Sequence, residues 1–332
     1  MRASVLNGCV VACVVLQVVC FVLHVMERLP KKESPSKVHL PAAYGRRRRV
    51  EGLQWCAPFR SSTSEFRRGA VAGLFNSGTN LLTRLMRQNC AMPRACPRVG
   101  AKRQVEMMAR GECLGYPYQV PWGKHNPRTA HVVPSLAHFN RSEILPLVVI
   151  KDPLTWMASM CRSPYAASFR HSECCPSPLA SSPVAVGFAT KRRHYDSLVH
   201  LWSAWYRAYF VDDAPRVFVR YEDLLFDAKA TVRDLCDCLG GSFREKDFDP
   251  VDDPAKGTKG HGAVATSRTD AINKYSNVAR RVANLRDSDL AYFNASVDHL
   301  LLDAFHYHAP LDKREERRTD HAKTNAACRR LE

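Results

Sequence analysis

The sequence lacks several features that would settle a function class at once. It has no Cys-x2-Cys…His-x3-His module and no basic stripe interleaved with aromatics, so a nucleic-acid partner is not expected. It has no internal repeat, which sets aside solenoids and propellers. Acids are few: 32 Asp+Glu stand against 49 Lys+Arg, leaving +17 and a need for an anionic partner. No charged residue occurs between Arg2 and Glu27. What is present is ordinary for a globular chain, with 45% hydrophobic and 24% charged residues in 332. Disorder throughout and collagen are thereby excluded.

The uncharged stretch is mostly Val, Leu, Cys and Phe. As a helix it spans about 36 Å, enough for a bilayer. It ends Leu23-His24-Val25-Met26-Glu27, without the small-x-small exit of a cleaved signal, so a retained signal-anchor is expected over 1–27. Residues 28–66, rich in Lys, Arg, Pro and Ser, read as a stem, with Arg46-Arg47-Arg48-Arg49 as a solvated basic run. Residues 1–50 hold +7 of the charge and 312–332 a further +2, in a polar tail; the intervening core carries the remaining +8. Orientation has opposing signals. Arg28, Lys31, Lys32 and Lys37 favour a cytosolic flank. Two sequons, at Asn140 and Asn294, and ten cysteines outside the anchor favour an oxidising lumen with up to five disulfides. The lumenal orientation is the expectation.

From Ala70 the pattern becomes strand and helix. Ala70 to Phe75 reads as a buried strand, Asn76 to Asn80 as a turn, and Leu81, Leu82, Leu85 and Met86 as one face of a helix. A second strand is expected at Leu145–Ile150 and a third at Arg216–Tyr221, the latter followed by a helix to Leu239. Between them Tyr195 to Phe210 reads as a helix whose aromatics, Trp202, Trp205, Tyr206 and Tyr209, pack the core. The alternation implies an α/β fold with a parallel sheet flanked by helices, over 67–311. Gly73 and Gly78 have the glycine spacing of a nucleotide P-loop, but Thr79 and Asn80 stand where Lys and Ser/Thr belong. The phosphate-reaching lysine and the magnesium-binding hydroxyl are both missing, which disfavours an ATPase or kinase; a divergent P-loop kinase stays as a distant alternative. A backbone anion site at the helix N-terminus is still expected.

In this setting Asn76-Ser77-Gly78-Thr79-Asn80-Leu81-Leu82, between strand and helix, resembles the 5′-phosphosulfate loop of the PAPS-dependent sulfotransferases. Lys151-Asp152-Pro153 with Ser159 eight residues on resembles that family's 3′-phosphate motif. Val219-Arg220-Tyr221-Glu222-Asp223-Leu224 resembles its Tyr-Glu-Asp segment. Lys256-Gly257-Thr258-Lys259-Gly260 resembles, more loosely, its late Lys-Gly loop, and Lys124-His125-Asn126-Pro127 the segment supplying a catalytic His. The likeness covers roughly 70–275, and the motifs follow in the expected order.

The resemblance implies a P-loop-like sulfotransferase fold that moves a sulfuryl group from PAPS, with no metal, to a glycan or glycoprotein in the Golgi, from a single-pass type II chain. Ser77, Gly78, Thr79 and Asn80 would cradle the 5′ group. Lys151 and Ser159 would clamp the 3′-phosphate, Lys256 and Gly257 would close over the nucleotide, and Tyr221 would line the adenine pocket or serve only as a strand-end packing residue. His125 is the leading base, since imidazole titrates near neutrality, with Glu106 and Glu112 as alternatives. Asn76 departs from the family, which has Lys or Arg there. Losing one such preorganised donor costs roughly 10²–10³ in rate. Either Lys124 substitutes, or the chain is a weak or inactive nucleotide-binding protein of the same fold.

Overall fold

A computed structural model describes residues 39–61, 68–92, 103, 107, 119–131, 141–169, 183–188, 191–252, 267–283 and 285–310. The expected anchor, the tail, Glu106, Glu112, Lys256, Gly257 and Asn140 lie outside them. Among the described residues no helix is long and apolar enough to cross a membrane.

The strands are β1 (Val50–Glu51), β2 (Arg68–Ala72), β3 (Cys90–Ala91), β4 (Ile144–Ile150), β5 (Ala167–Ser168), β6 (Val184–Phe188), β7 (Lys191–Tyr195), β8 (Val217–Arg220) and β9 (Ser242–Phe243). The helices are α1 (Cys56–Ser61), α2 (Thr79–Asn89), α3 (Pro153–Arg162), α4 (Leu198–Phe210), α5 (Tyr221–Phe226), α6 (Ala228–Cys238), α7 (Arg268–Ser276), α8 (Asp287–Ser296) and α9 (His299–Phe305). The main sheet runs β1-β8-β4-β2. β2, β4 and β8 are parallel, with Val71 opposite Leu147 and Val148 opposite Phe218. All three are buried along their whole length, the pattern of a parallel sheet covered on both faces. The sheet is mixed rather than purely parallel, because β1 adds antiparallel to β8.

That edge strand corrects the reading of 28–66 as stem. The folded unit begins at Leu40, and Tyr44 is fully buried. The arginine run is anchored as well. Arg48 pairs with Asp234 and Asp227, and the Arg49 N–H donates to the Asp223 carboxylate at 3.0 Å. Two further boundaries moved. Tyr221 opens a helix instead of ending a strand, and the expected single helix to Leu239 breaks at Asp227 into α5 and α6. Helix α4 starts only at Leu198, where Ser197 caps it by accepting from the His200 N–H, while Tyr195 ends β7.

Disulfides Cys56–Cys238 and Cys90–Cys236 tie α6 to α1 and to β3, and Cys161 is disulfide-bonded too. The second sequon is less open than its sequence suggests. Asn294 sits half-buried in α8 and its side-chain amide donates to the Pro310 carbonyl at 3.0 Å, a bond a glycan would displace.

The four aromatics of α4 are core residues, as expected, and are all at most 1% exposed. Their polar tips do more than pack. Trp202 donates to the Lys151 carbonyl at 3.0 Å, Tyr206 to Val149 at 2.9 Å, and Trp205 to His125 at 3.0 Å. The helix thereby satisfies the carbonyls that β4 and the 125 turn leave unpaired at the end of the sheet. It is a rigid backing for the loops that follow.

Candidate functional site

The cleft forms at the carboxyl end of the parallel sheet, lined from the segments that follow β2 and β8, where parallel-sheet proteins gather ligand loops. It has a volume of about 200 Å³. Asn76, Gly78, Thr79, Asn80, Lys124, His125 and Tyr221 all line it. Seven of the residues singled out from sequence, scattered over 145 positions, therefore converge.

The 73–78 loop is held by local chemistry. Gly78 sits at φ 94°, capping α2, and a Cβ there would lie 2.3 Å from the Tyr221 ring. Only glycine allows that approach. Asn76 is left-handed at φ 60°, a conformation Asn tolerates better than most residues. Its side-chain amide donates to the Ser163 carbonyl at 2.8 Å and to Ser159 at 3.3 Å. Asn76 thus fastens the loop to the end of α3, besides lining the cleft. Ser77 differs from expectation: it is fully buried and its hydroxyl donates back to the Leu74 carbonyl at 2.7 Å, so it braces the loop and does not line the cleft. The first intrahelical bond of α2 runs from Leu82 to Gly78, which turns the positive end of the helix toward the cleft.

The 120–126 segment lies beside this loop. The Gly73 N–H donates to the Lys124 carbonyl at 2.8 Å, and the His125 Nδ1 lies 2.7 Å from the Gly73 carbonyl. A carbonyl can only accept, so Nδ1 carries the proton and Nε2 is the basic nitrogen. Lys124 is 7% exposed and its ammonium donates to the Asn80 side chain at 2.8 Å. A cation thus reaches the loop from a segment other than the one the resemblance would use.

Lys151 and Ser159 are also brought together. The Lys151 ammonium donates to the Ser159 hydroxyl at 2.9 Å and to the Asn76 carbonyl at 3.3 Å. It sits between the rings of Tyr221 (4.8 Å) and Tyr275 (5.1 Å). Burial, then the nearby Lys274 charge, lower its pKa to about 7. Lys274 is itself lowered to about 8 by burial, Arg162 and Arg280. Arg162 donates to the same Ser159 hydroxyl at 3.3 Å. Two cations share one hydroxyl with a third charge nearby, the arrangement an anion would relieve. Arg162 and Lys274 escaped the sequence reading. Arg162 lies one helical turn beyond Ser159, a signal that was available; Lys274 is more than a hundred residues away.

The Tyr-Glu-Asp segment does structural work around this cluster. Asp223 takes both ends of the Arg220 guanidinium at 2.8 and 2.7 Å, with both side chains wholly buried. Glu222 accepts from the Asp152 N–H at 3.2 Å and from the Tyr307 hydroxyl at 2.9 Å. Burial and the neighbouring Asp152 charge raise its pKa to about 7. Asp152 caps α3 through the Thr155 N–H at 2.8 Å and pairs with Arg281 at 2.7 Å.

Two further residues complete the cleft wall. Arg268, at the start of α7, has a buried Nε without a hydrogen-bond partner. Tyr165, 40% exposed and at φ 55°, stacks on Phe75 at 5.6 Å, and Phe75 packs on His125 at 4.6 Å. No protein family matches the chain, and neither does any curated protein or solved structure.

Proposed function

We propose that the protein is a PAPS-dependent sulfotransferase of the P-loop-like fold that sulfates a hydroxyl or amine of a glycan. The observation that carries this reading is the Lys151–Ser159 pair, 2.9 Å apart and joined by Arg162 on the same hydroxyl, one strand over from the Asn76–Asn80 loop. Two anion sites on adjacent parallel strands suit a donor with a phosphosulfate at one end and a phosphate at the other. Arg268, together with Lys256 and Gly257, would add to the nucleotide contacts.

In the reaction the acceptor oxygen forms a bond to sulfur as the bond from sulfur to the bridging phosphate oxygen breaks. The acceptor proton goes to Nε2 of His125, whose other nitrogen is committed to the Gly73 carbonyl. Negative charge grows on the bridging oxygen, and in-line transfer of this type depends chiefly on positioning and charge stabilisation. Lys124 supplies the charge that Asn76 lacks, reaching the loop through Asn80. The paired cysteines suit an oxidising compartment, consistent with a Golgi lumenal domain on a single-pass type II anchor.

A second reading, a nucleotide-binding protein without turnover, is favoured by one observation. The Asn76 amide donates to the Ser159 and Ser163 carbonyls, at α3 and just past its end, and an amide brings the loop no charge of its own. Calorimetry with PAP tests nucleotide binding, and PAPS turnover on an acceptor panel separates enzyme from binder. Absence of binding by both PAP and PAPS would refute either version.

A further inference from the structure

We propose that strand β7 is the acceptor-docking edge of the cleft and that it takes an acidic polysaccharide. The inference rests on the sulfotransferase reading and narrows its acceptor. In the three-stranded sheet β5-β6-β7, β7 is the outer strand, paired antiparallel to β6 alone among the described residues. Its residues Lys191, Arg192, Arg193 and His194 are all exposed. Side chains alternate along a strand, so cationic groups project on both faces, repeating about every 7 Å on each.

Two observations separate this strand from an ordinary solvated charge run. The first is the absence of compensation. Several arginines elsewhere find a carboxylate: Arg48 with Asp234, Arg207 with Asp298, Arg233 with Glu245. Lys191, Arg192 and Arg193 have no acidic partner among the described residues. The second is position. Arg193 donates to the Thr129 hydroxyl at 3.3 Å, four residues along from His125. The neighbouring strand is bonded to the cleft wall as well, the Gly187 N–H donating to the Ala166 carbonyl at 3.0 Å, next to Tyr165. Arg193 thus ties the basic edge to the segment that carries His125, and β6 ties the same small sheet to the turn beside Tyr165.

The surface suits a glycan better than an acidic peptide. A peptide would add to the open edge as a further strand, and a row of Lys and Arg on such an edge opposes strand addition. Tyr165 instead presents an exposed ring, held left-handed beside His125 through Phe75, as a flat platform for a pyranose. Carboxylate or sulfate groups on the sugars beyond it would meet the cations of β7.

The test titrates the full chain with a uronate oligosaccharide, a neutral glucan of equal length, and polyglutamate of equal charge. The uronate is expected to bind in preference to the other two, and more weakly as salt rises. Replacing Lys191→Ser, Arg192→Ser and Arg193→Ser together weakens uronate binding roughly tenfold while PAP affinity stays unchanged. Equal uronate affinity in variant and wild type overturns the proposal, as does a preference for polyglutamate. If the triple variant loses PAP binding too, it has misfolded; a wild-type uronate affinity indifferent to salt then overturns the proposal by itself. A wild-type chain that captures uronate through β7 but binds neither PAP nor PAPS overturns the sulfotransferase reading instead.

Discussion

Lys151→Met isolates the cation on which the nucleotide reading depends. The substitution keeps an apolar stem between Tyr221 and Tyr275 and removes the ammonium that bonds Ser159 at 2.9 Å. One charge-assisted hydrogen bond is worth about 1.5–3 kcal/mol, so PAP should bind about 10- to 150-fold more weakly at pH 6.5. The pH dependence gives a sharper signature. Burial and Lys274 hold the Lys151 pKa at about 7, against 10.5 for an ordinary lysine. Above pH 7 the unliganded site is losing its proton, and a bound phosphate must recover it. Wild-type affinity therefore falls as pH rises above 7, with proton uptake on binding, by up to about tenfold per pH unit. The Met variant lacks the Lys151 part of this slope, so the two curves converge toward pH 9. Stability moves the opposite way. Between about 7 and 10.5 the unfolded chain holds a proton at Lys151 that the folded chain has lost, so this group makes stability rise with pH across that window. Below pH 7 the Met variant, free of a buried cation among like charges, should be the more stable protein. Calorimetry with PAP at several pH values, in buffers of differing ionisation heat, measures affinity and proton uptake together. Unchanged PAP affinity, or identical proton uptake in variant and wild type, would refute the reasoning.

Four other outcomes follow from the geometry. His125→Ala should leave PAP binding intact and abolish sulfuryl transfer, read by calorimetry beside a transfer assay; equal loss of both would mark the ring as a structural prop for the Gly73 carbonyl. Gly78→Ala puts a side chain at φ 94° and against the Tyr221 ring, costing about 1–2 kcal/mol for the backbone alone, and should lower both the melting temperature and PAP affinity. Asp223→Ala strands the buried Arg220 guanidinium, and breaking such a pair costs about 3–5 kcal/mol in chemical denaturation. Replacing Cys56 and Cys238 together by Ser, with the nested Cys90–Cys236 bridge intact, opens a loop of about 36 residues and should cost about 4 kcal/mol by chain entropy, seen as a lower denaturation midpoint.

The legible part of this protein is the part written in short-range patterns. Apolar runs at Val71 and Val148 announced buried parallel strands, and the 81–86 spacing announced α2. Asn76-Ser77-Gly78-Thr79-Asn80 could be read as an anion loop because a strand, small residues and a helix suffice to build one. Lys151 and Ser159 were singled out through the motif they resemble, and they meet because one strand end and two helical turns separate them. Errors arose where a residue serves long-range order. Residues 40–61 look like stem because they carry little periodicity, yet Val50–Glu51 complete the sheet and Cys56 is stapled to Cys238. Ser77 looked like a ligand, but its hydroxyl had a nearer carbonyl to satisfy.

The sequence by itself determined an α/β chain with a strand–loop–helix turn at 70–86 and a lysine and serine placed to meet at 151 and 159. Backbone propensity and spacing along the chain are enough for that. Only the tertiary structure decided that Lys124 meets Asn80, that Arg162 joins Lys151 on Ser159 with the Lys274 charge nearby, and that the basic strand β7 touches Thr129, four residues from His125. Those relations depend on which elements the buried sheet brings side by side, and on which charges find a partner once it has done so.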